Sequence, residues 1–205
     1  GISFSATNLP AGSSFNTSTQ VFTWTPGYDQ AGEYSEVVFT VTDDGVPSES
    51  ASESILITVV NVNRAPVLDA IGDQVTDEGT ELSFTVTGSD PDGDGLAFST
   101  GPLPAGASFD PSTQTFTWTP GFGSSGNYQG LFTLTDDGDP SLNDTEEITI
   151  TVGEVNRPPV LDAIGDRQVN EGELLSFTVT GGNPDGEGIS FSATNLPAGS
   201  SFNTS

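Results

Sequence analysis

Residues 81–88 read ELSFTVTG, and residues 174–181 read LLSFTVTG. Leu82, Phe84 and Val86 alternate with Ser83, Thr85 and Thr87, the period of two expected of a strand with one buried and one wet face. Threonine suits the wet face because its β-branch fits a pleated surface. The same alternation recurs where Phe132 and Leu134 bracket Thr133 and precede Thr135, and where Ile148, Ile150 and Val152 enclose Thr149 and Thr151. Prolines, glycines and Asx–Gly pairs interrupt these runs roughly every ten residues, and no segment has a helical period.

The return of the motif is part of a longer repetition. RAPVLDAIGD at 64–73 reappears as RPPVLDAIGD at 157–166, QVFTWTPG at 20–27 as QTFTWTPG at 114–121, and VTDDGVPS at 41–48 as LTDDGDPS at 134–141. Residues 1–18, GISFSATNLPAGSSFNTS, return letter for letter as residues 188–205. A period of about 93 residues follows, and the expected organisation is the C-terminal part of one copy (1–63), a complete copy (64–156) and the N-terminal part of a third (157–205). The first and third copies agree over their shared residues whereas the middle one differs there (GLAFSTGPLPAGASFDPS), which points to a higher-order period of two copies.

About seven short strands per copy, with Trp24 and Trp118 in equivalent places, predict an all-β immunoglobulin-like sandwich. A domain of this size buries a sufficient core without disulfides. The tryptophans alternate with Phe22 and Phe116 and read as core anchors rather than sugar-stacking platforms. The LPAGASF and LPAGSSF segments lead into hairpins whose turns are DPSTQ at 110–114 and NTSTQ at 16–20.

Composition narrows the function. The 205 residues include no Cys, Met or His, and Arg64, Arg157 and Arg167 are the only cationic side chains. Thiol, amine and imidazole chemistry are therefore absent, and no catalytic residue is assigned. A net charge of −26 opposes binding to nucleic acid or anionic lipid and favours divalent cations, or simply solubility. No apolar run reaches membrane-spanning length. Asn16, Asn143 and Asn203 each begin an N-x-Ser/Thr sequon.

Asp90-Pro-Asp92-Gly-Asp94-Gly95 sets three carboxylates at alternate positions among turn-forming glycines, hard oxygen ligands that suit calcium. The twelfth position from Asp90 is Gly101 rather than Glu and no helices flank the loop, so this is not an EF-hand. The third copy carries the weaker version Asn183-Pro-Asp185-Gly-Glu187-Gly188. An acidic turn without an ion is the other reading of both loops.

Taken in order, RAPVLDAIGDQVTDEGTELSFTVTGSDPDGDGLAFS, LPAGASFDPSTQTFTWTPG and TDDGDPSLNDTEEITITVGEVNRPP resemble the cadherin-like and immunoglobulin-like repeats of large bacterial surface proteins, the dystroglycan-type cadherin-like domains. The resemblance spans the whole chain. It implies tandem sandwiches arranged end to end, calcium (Ca2+) at the junctions, and an extracellular, secreted or cell-surface setting. Its implied ligands at one junction are Asn61 and Asn63 with Asp90, Asp92 and Asp136, and Asp94 belongs to the same loop. At the next they are Glu78, Glu154, Asn156, Asn183 and Asp185. The chain departs from the cadherin pattern, because Arg64 and Arg157 stand where the linker carries an Asp–Asn pair and the Asp-Arg-Glu motif is missing. These losses oppose a full multi-calcium cluster and leave one ion, or an ion pair of Arg64 and Arg157 with carboxylates across the junction.

Short linkers containing Pro66, Pro158 and Pro159 leave little slack between copies. The leading expectation is a structural spacer in a very long protein that forms a stalk, fibre or filament, its partners being neighbouring repeats and other copies in a filament. The alternative is a glycan- or cell-binding adhesion module. Tyr28 and Phe122 both follow the Trp-Thr-Pro-Gly motif, which reads as structural rather than as a sugar site.

Overall fold

The computed structural model describes residues 1–204, so Ser205, which ends the Asn203 sequon, lies outside the described residues. In the first copy the strands are β1 (Ile2–Thr7), β2 (Ser14–Asn16), β3 (Val21–Thr23), β4 (Gly32–Asp43) and β5 (Ser50–Val59). The middle copy begins with β6 (Val67–Leu68), β7 (Gln74–Asp77), β8 (Leu82–Thr85), β9 (Gly88–Ser89) and β10 (Leu96–Thr100). It continues with β11 (Ser108–Asp110), β12 (Thr115–Trp118), β13 (Gly126–Asp136) and β14 (Asn143–Gly153). The third copy contributes β15 (Val160–Leu161) and β16 (Gly181–Gly182). The one helical element among the described residues is a single 3₁₀ turn, Tyr28–Gln30. It is too short to show a period in the sequence, and it is held locally by the Gly27 N–H donating to Gln30 Oε1 at 2.8 Å.

The chain divides into two compact units. The first comprises Gly1–Asp69, Thr87–Phe98 and Thr133–Thr145, and the second Ala70–Val86, Ser99–Phe132 and Glu146–Ser205.

In the first unit, β1, β4 and β5 form an antiparallel sheet with β4 in the centre. Ile2 faces Asp43 and Thr7 faces Val38, while a bulge between Tyr34 and Val37 puts Glu36 at φ 64°. β2 and β3 close the hairpin around the Asn16 turn, where Asn16 Oδ1 accepts the Ser18 and Thr19 N–H groups. Phe39 meets Phe15 and Phe22 edge-on at 5.3 and 6.0 Å, and Trp24 packs edge-on against Tyr34 at 4.8 Å. β6 pairs with β9, where a side chain on Gly88 would overlap Leu134 and the Val67 carbonyl. Only glycine lets these two short strands approach over the buried Leu134.

The second unit centres on four phenylalanines. β12 runs between β11 and β8, with Phe116 opposite Phe109 on one side and Phe84 on the other. Phe84 stacks on Phe116 at 4.8 Å, and Phe132 receives Phe84, Phe109 and Phe116 edge-on at 5.7, 5.8 and 6.1 Å. Phe116, Phe132, Ile148, Ile150, Val152 and Val86 are buried, as the period-two reading requires. Trp118 is buried too, donating its Nε1–H to Ala105 O at 3.2 Å and packing edge-on against Tyr128 at 4.9 Å. The Tyr128 hydroxyl donates to Ser124 O at 2.8 Å, and Tyr34 repeats this bond to Gln30 O at 3.0 Å.

The four-stranded sheet has the order β10-β13-β14-β7, with β7 parallel to β14 and Gln74 opposite Ile150. In the third copy, LSFT at 175–178 repeats β8 but has no strand assignment. In the middle stretch, β8 is paired with β12.

Candidate functional site

The Asp90 loop is built on local hydrogen bonds. Asp90 Oδ1 accepts the N–H groups of Asp92 and Asp94 at 2.6 and 3.2 Å, and Gly93 takes a left-handed φ of 79° that a side chain would strain. This folding back brings ligand atoms of Asp90, Asp92 and Asp94 within 4.8 Å of one another. Asp90 Oδ2 and Asp94 Oδ2 are buried and have no hydrogen-bond partner. Burial pushes the Asp94 carboxyl above its ordinary range, and the charges of Asp90, Asp137, Asp92 and Asp136 push it the same way.

Asp92 is already engaged. Its Oδ1 accepts Arg64 Nε–H at 2.8 Å and forms an ion pair with Nη2 at 2.6 Å, and its Oδ2 accepts the Arg64 backbone N–H at 2.7 Å. Arg64 Nη2 also donates to Pro91 O at 2.6 Å. The Arg64 side chain, chiefly through its hydrogen bond, holds the Asp92 carboxyl below the ordinary carboxylate range. The same hydrogen bond raises the Arg64 guanidinium pKa.

Beside this loop, Asn63 and Asp136 form a buried pair, with Asn63 Nδ2 donating to Asp136 Oδ2 at 3.0 Å and to Pro140 O at 2.9 Å. Asp136 Oδ1 accepts Leu142 N–H at 2.8 Å and Gly138 N–H at 3.2 Å. Burial opposes ionisation of Asp136, but the bonds from Leu142, Asn63, Gly138 and Ser141 outweigh it and hold its pKa below the ordinary value. Asn61 is exposed.

The residues implied for the second junction are spread over separate partners. Glu78 is buried at 3 % exposure, and its two oxygens accept Ser125 N–H at 2.8 Å and Val155 N–H at 3.4 Å. Glu154 and Asn156 are exposed. Asp185 accepts Arg157 Nε–H and backbone N–H at 2.7 and 2.6 Å and forms an ion pair with Nη2 at 2.7 Å, and Arg157 Nη2 donates to Pro184 O at 2.9 Å. The Arg157 backbone N–H and then its side chain hold the Asp185 carboxyl below the ordinary range. Asn183 Oδ1 accepts Asp185 N–H at 2.7 Å, and its Nδ2 donates to Glu187 Oε2 at 3.3 Å, so this loop satisfies itself where the Asp90 loop leaves oxygens bare.

Sequence reasoning missed several partners. Asp137 accepts Gly95 N–H at 2.7 Å and so tethers the Asp90 loop, while Asp144 and Glu146 accept the N–H groups of Leu68, Ile71 and Gly72. Each arginine also lies over a ring: Arg64 over Tyr28 at 5.0 Å, Arg157 over Phe122 at 4.7 Å and Arg167 over Phe177 at 5.4 Å. The matching Trp-Thr-Pro-Gly-aromatic positions were the available signal for the first two.

These shifts set opposite limbs of an acid titration. Asp92, Asp136 and Asp185 have folded-state pKa values below their ordinary 3.8, so their stabilisation is present above that pH and is lost as pH falls through the lowered values. Asp94 is raised, so its contribution is present below 3.8 and is lost as pH rises through its folded-state value. Thermal melts in chelator from neutral to about pH 2 are expected to rise first and then fall. Asp94→Asn is expected to reduce the rise and keep the fall.

The sandwich core and its repeated turns define an immunoglobulin-like domain. The chain matches the family model described as "Putative Ig domain" (He_PIG) twice, over residues 1–60 and 65–153, and belongs to that family. No curated protein matches the chain. Among solved structures it is similar to protocadherin gammaB7 EC3-6, with 19 % identity over 83 % of this chain and 46 % of that one at a TM-score of 0.49. It is also similar to mouse cadherin-23 EC22-24, with 20 % identity over 75 % of this chain and 53 % of that one at 0.47. A nucleoside hydrolase-related hypothetical protein from Saccharophagus degradans, associated with carbohydrate metabolism, shares 24 % identity over 44 % of this chain and 26 % of that one at 0.39. The chain thus spans between 26 % and 53 % of the length of these three solved chains. No helix among the described residues is long and apolar enough to cross a membrane.

Proposed function

We propose that this chain is a stretch of structural repeats from a long extracellular protein, joined end to end into a stalk, fibre or filament. The observation that carries this reading is the return of residues 1–18 as residues 188–205, together with two family matches in one chain. A structural or adhesive role suits the fold, and the residue inventory holds no Cys or Lys nucleophile and no imidazole base. Electron microscopy of the native parent protein tests it. Uniform filaments with a bead spacing of roughly 30–40 Å, from strand length, are expected. Short stalks carrying a distinct head would move the function into that head and overturn the filament.

Calcium belongs to this reading at the Asp90 loop. Two bare, buried carboxylate oxygens, Asp90 Oδ2 and Asp94 Oδ2, fit one hard cation, which would relieve the mutual repulsion of the carboxylates. Asn63 Oδ1 is a third buried oxygen with no partner, but both oxygens of Asp92 and of Asp136 already accept hydrogen bonds, which opposes a larger cluster. The self-satisfied Asn183 loop is not included. Chelation is expected to lower the melting temperature of the wild-type chain and to have no effect on Asp94→Asn; identical wild-type melts with and without chelator would remove calcium from the reading.

A further inference from the structure

The two linker arginines occupy the same three-sided environment in two separate places. Arg64 is bounded at its edge by Asp92, at its tip by Pro91 O and on its face by Tyr28, with Asp29 Oδ1 at 3.5 Å from Nη2. Arg157 is bounded by Asp185, Pro184 O and Phe122 in the same roles. The spacing is also shared, since each aspartate lies 28 residues after its arginine. Each ring lies 36 or 35 residues before it, directly after Trp-Thr-Pro-Gly.

Neither contact is explained by ordinary core packing. Tyr28 and Phe122 are 62 % and 51 % exposed, so the rings are not held by burial. The aspartate side chains are 9 % and 6 % exposed, and the arginine side chains 29 % and 32 %. A partly desolvated guanidinium that is hydrogen-bonded at its edge and covered on its face is a much stronger contact than a surface ion pair. The planar fork is essential, because a lysine ammonium cannot fill both edge and face. Two of the chain's three cationic side chains are spent this way against a net charge of −26.

We propose that Arg64 and Arg157 are built-in cations that clamp successive copies: each binds the loop aspartate of its own copy edge-on and the post-Trp-Thr-Pro-Gly ring of the preceding copy face-on. At the Asp90 loop the clamp takes Asp92, whereas the proposed calcium takes the bare oxygens of Asp90 and Asp94, so the two draw on different atoms of one loop. The pattern is aromatic, then arginine about 36 residues on, then aspartate 28 further, and it specifies a second stretch of this same chain as the partner.

With only three arginines, the ¹⁵N spectrum of the Nε–H groups of the full chain reads the clamp directly. The Arg64 and Arg157 signals are expected to exchange with water about tenfold or more slowly than that of an exposed arginine, and to remain slow on chelation. Arg167, with a ring nearby but no ion pair found among the described residues, is the internal comparison. Tyr28→Leu is expected to shift only the Arg64 signal and Phe122→Leu only that of Arg157, with amide spectra of the core unchanged. Asp92→Asn is expected to return Arg64 to fast exchange. Fast exchange of Arg64 and Arg157 in the unmodified chain, loss of slow exchange on chelation, or indifference to the ring substitutions would each overturn the proposal. Calcium binding that fails while the slow signals persist would overturn the metal reading and leave the clamp standing.

Discussion

Phe132→Ala is expected to lower the unfolding free energy of the middle copy by about 3–5 kcal/mol, a large part of the stability of an ordinary domain. Phe132 is 1 % exposed and is the ring on which Phe84, Phe109 and Phe116 converge from three strands. Truncation removes the buried apolar area and leaves a void that three aromatic neighbours, fixed by the β8–β12–β11 ladder, cannot fill by moving. Phe132→Leu keeps most of the volume and should cost less than half as much, about 1–1.5 kcal/mol. A urea titration read at Trp118, in a Trp24→Phe background, measures both. A loss below about 1 kcal/mol for the alanine variant would mean that the four rings are not the centre of the core.

Glu78→Leu is expected to cost about 2–4 kcal/mol although it replaces a charge with an apolar side chain of similar size. The carboxylate lies at 3 % exposure and accepts the N–H groups of Ser125 and Val155. Leucine would leave both donors without an acceptor in a place that water does not readily reach, and unmade buried hydrogen bonds are costly. Glu78→Gln keeps one acceptor oxygen and should lose about half as much. The same denaturant titration distinguishes them, and equal stability of the three proteins would show that Glu78 is not a structural anchor.

The strands and their buried faces were legible because a period of two is local: Leu82, Phe84 and Val86 announce their face within five residues. The DPSTQ turn was legible for the same reason, and Asp110 Oδ1 accepting the Ser112 N–H at 2.9 Å gives its mechanism. What depends on partners distant in sequence was not. LSFT at 82–85 reads as a strand, but that its ladder partner is Thr115–Trp118 appears only in the fold. The acidic loop was visible as Asp-Pro-Asp-Gly-Asp, yet nothing in that string reveals that Asp92 is committed to Arg64 while Asp90 and Asp94 each keep a bare oxygen. Glu78 was selected by resemblance as a ligand, and its two backbone donors, 47 and 77 residues away, appear only in the fold.

The parallel pairing of β7 with β14 has a mechanical consequence. Gln74 to Asp77 run alongside Ile150 to Gly153 in the same direction, one near the start of the middle copy and the other near its end. Tension applied through the Arg64 linker and the Asn156 linker drags these strands in opposite senses along their length. The hydrogen bonds of the ladder are then loaded in shear, together, instead of being unzipped one after another as at the end of a hairpin. In the stalk or filament proposed above, this short parallel register would resist pulling between Gln74 and Gly153 by shear.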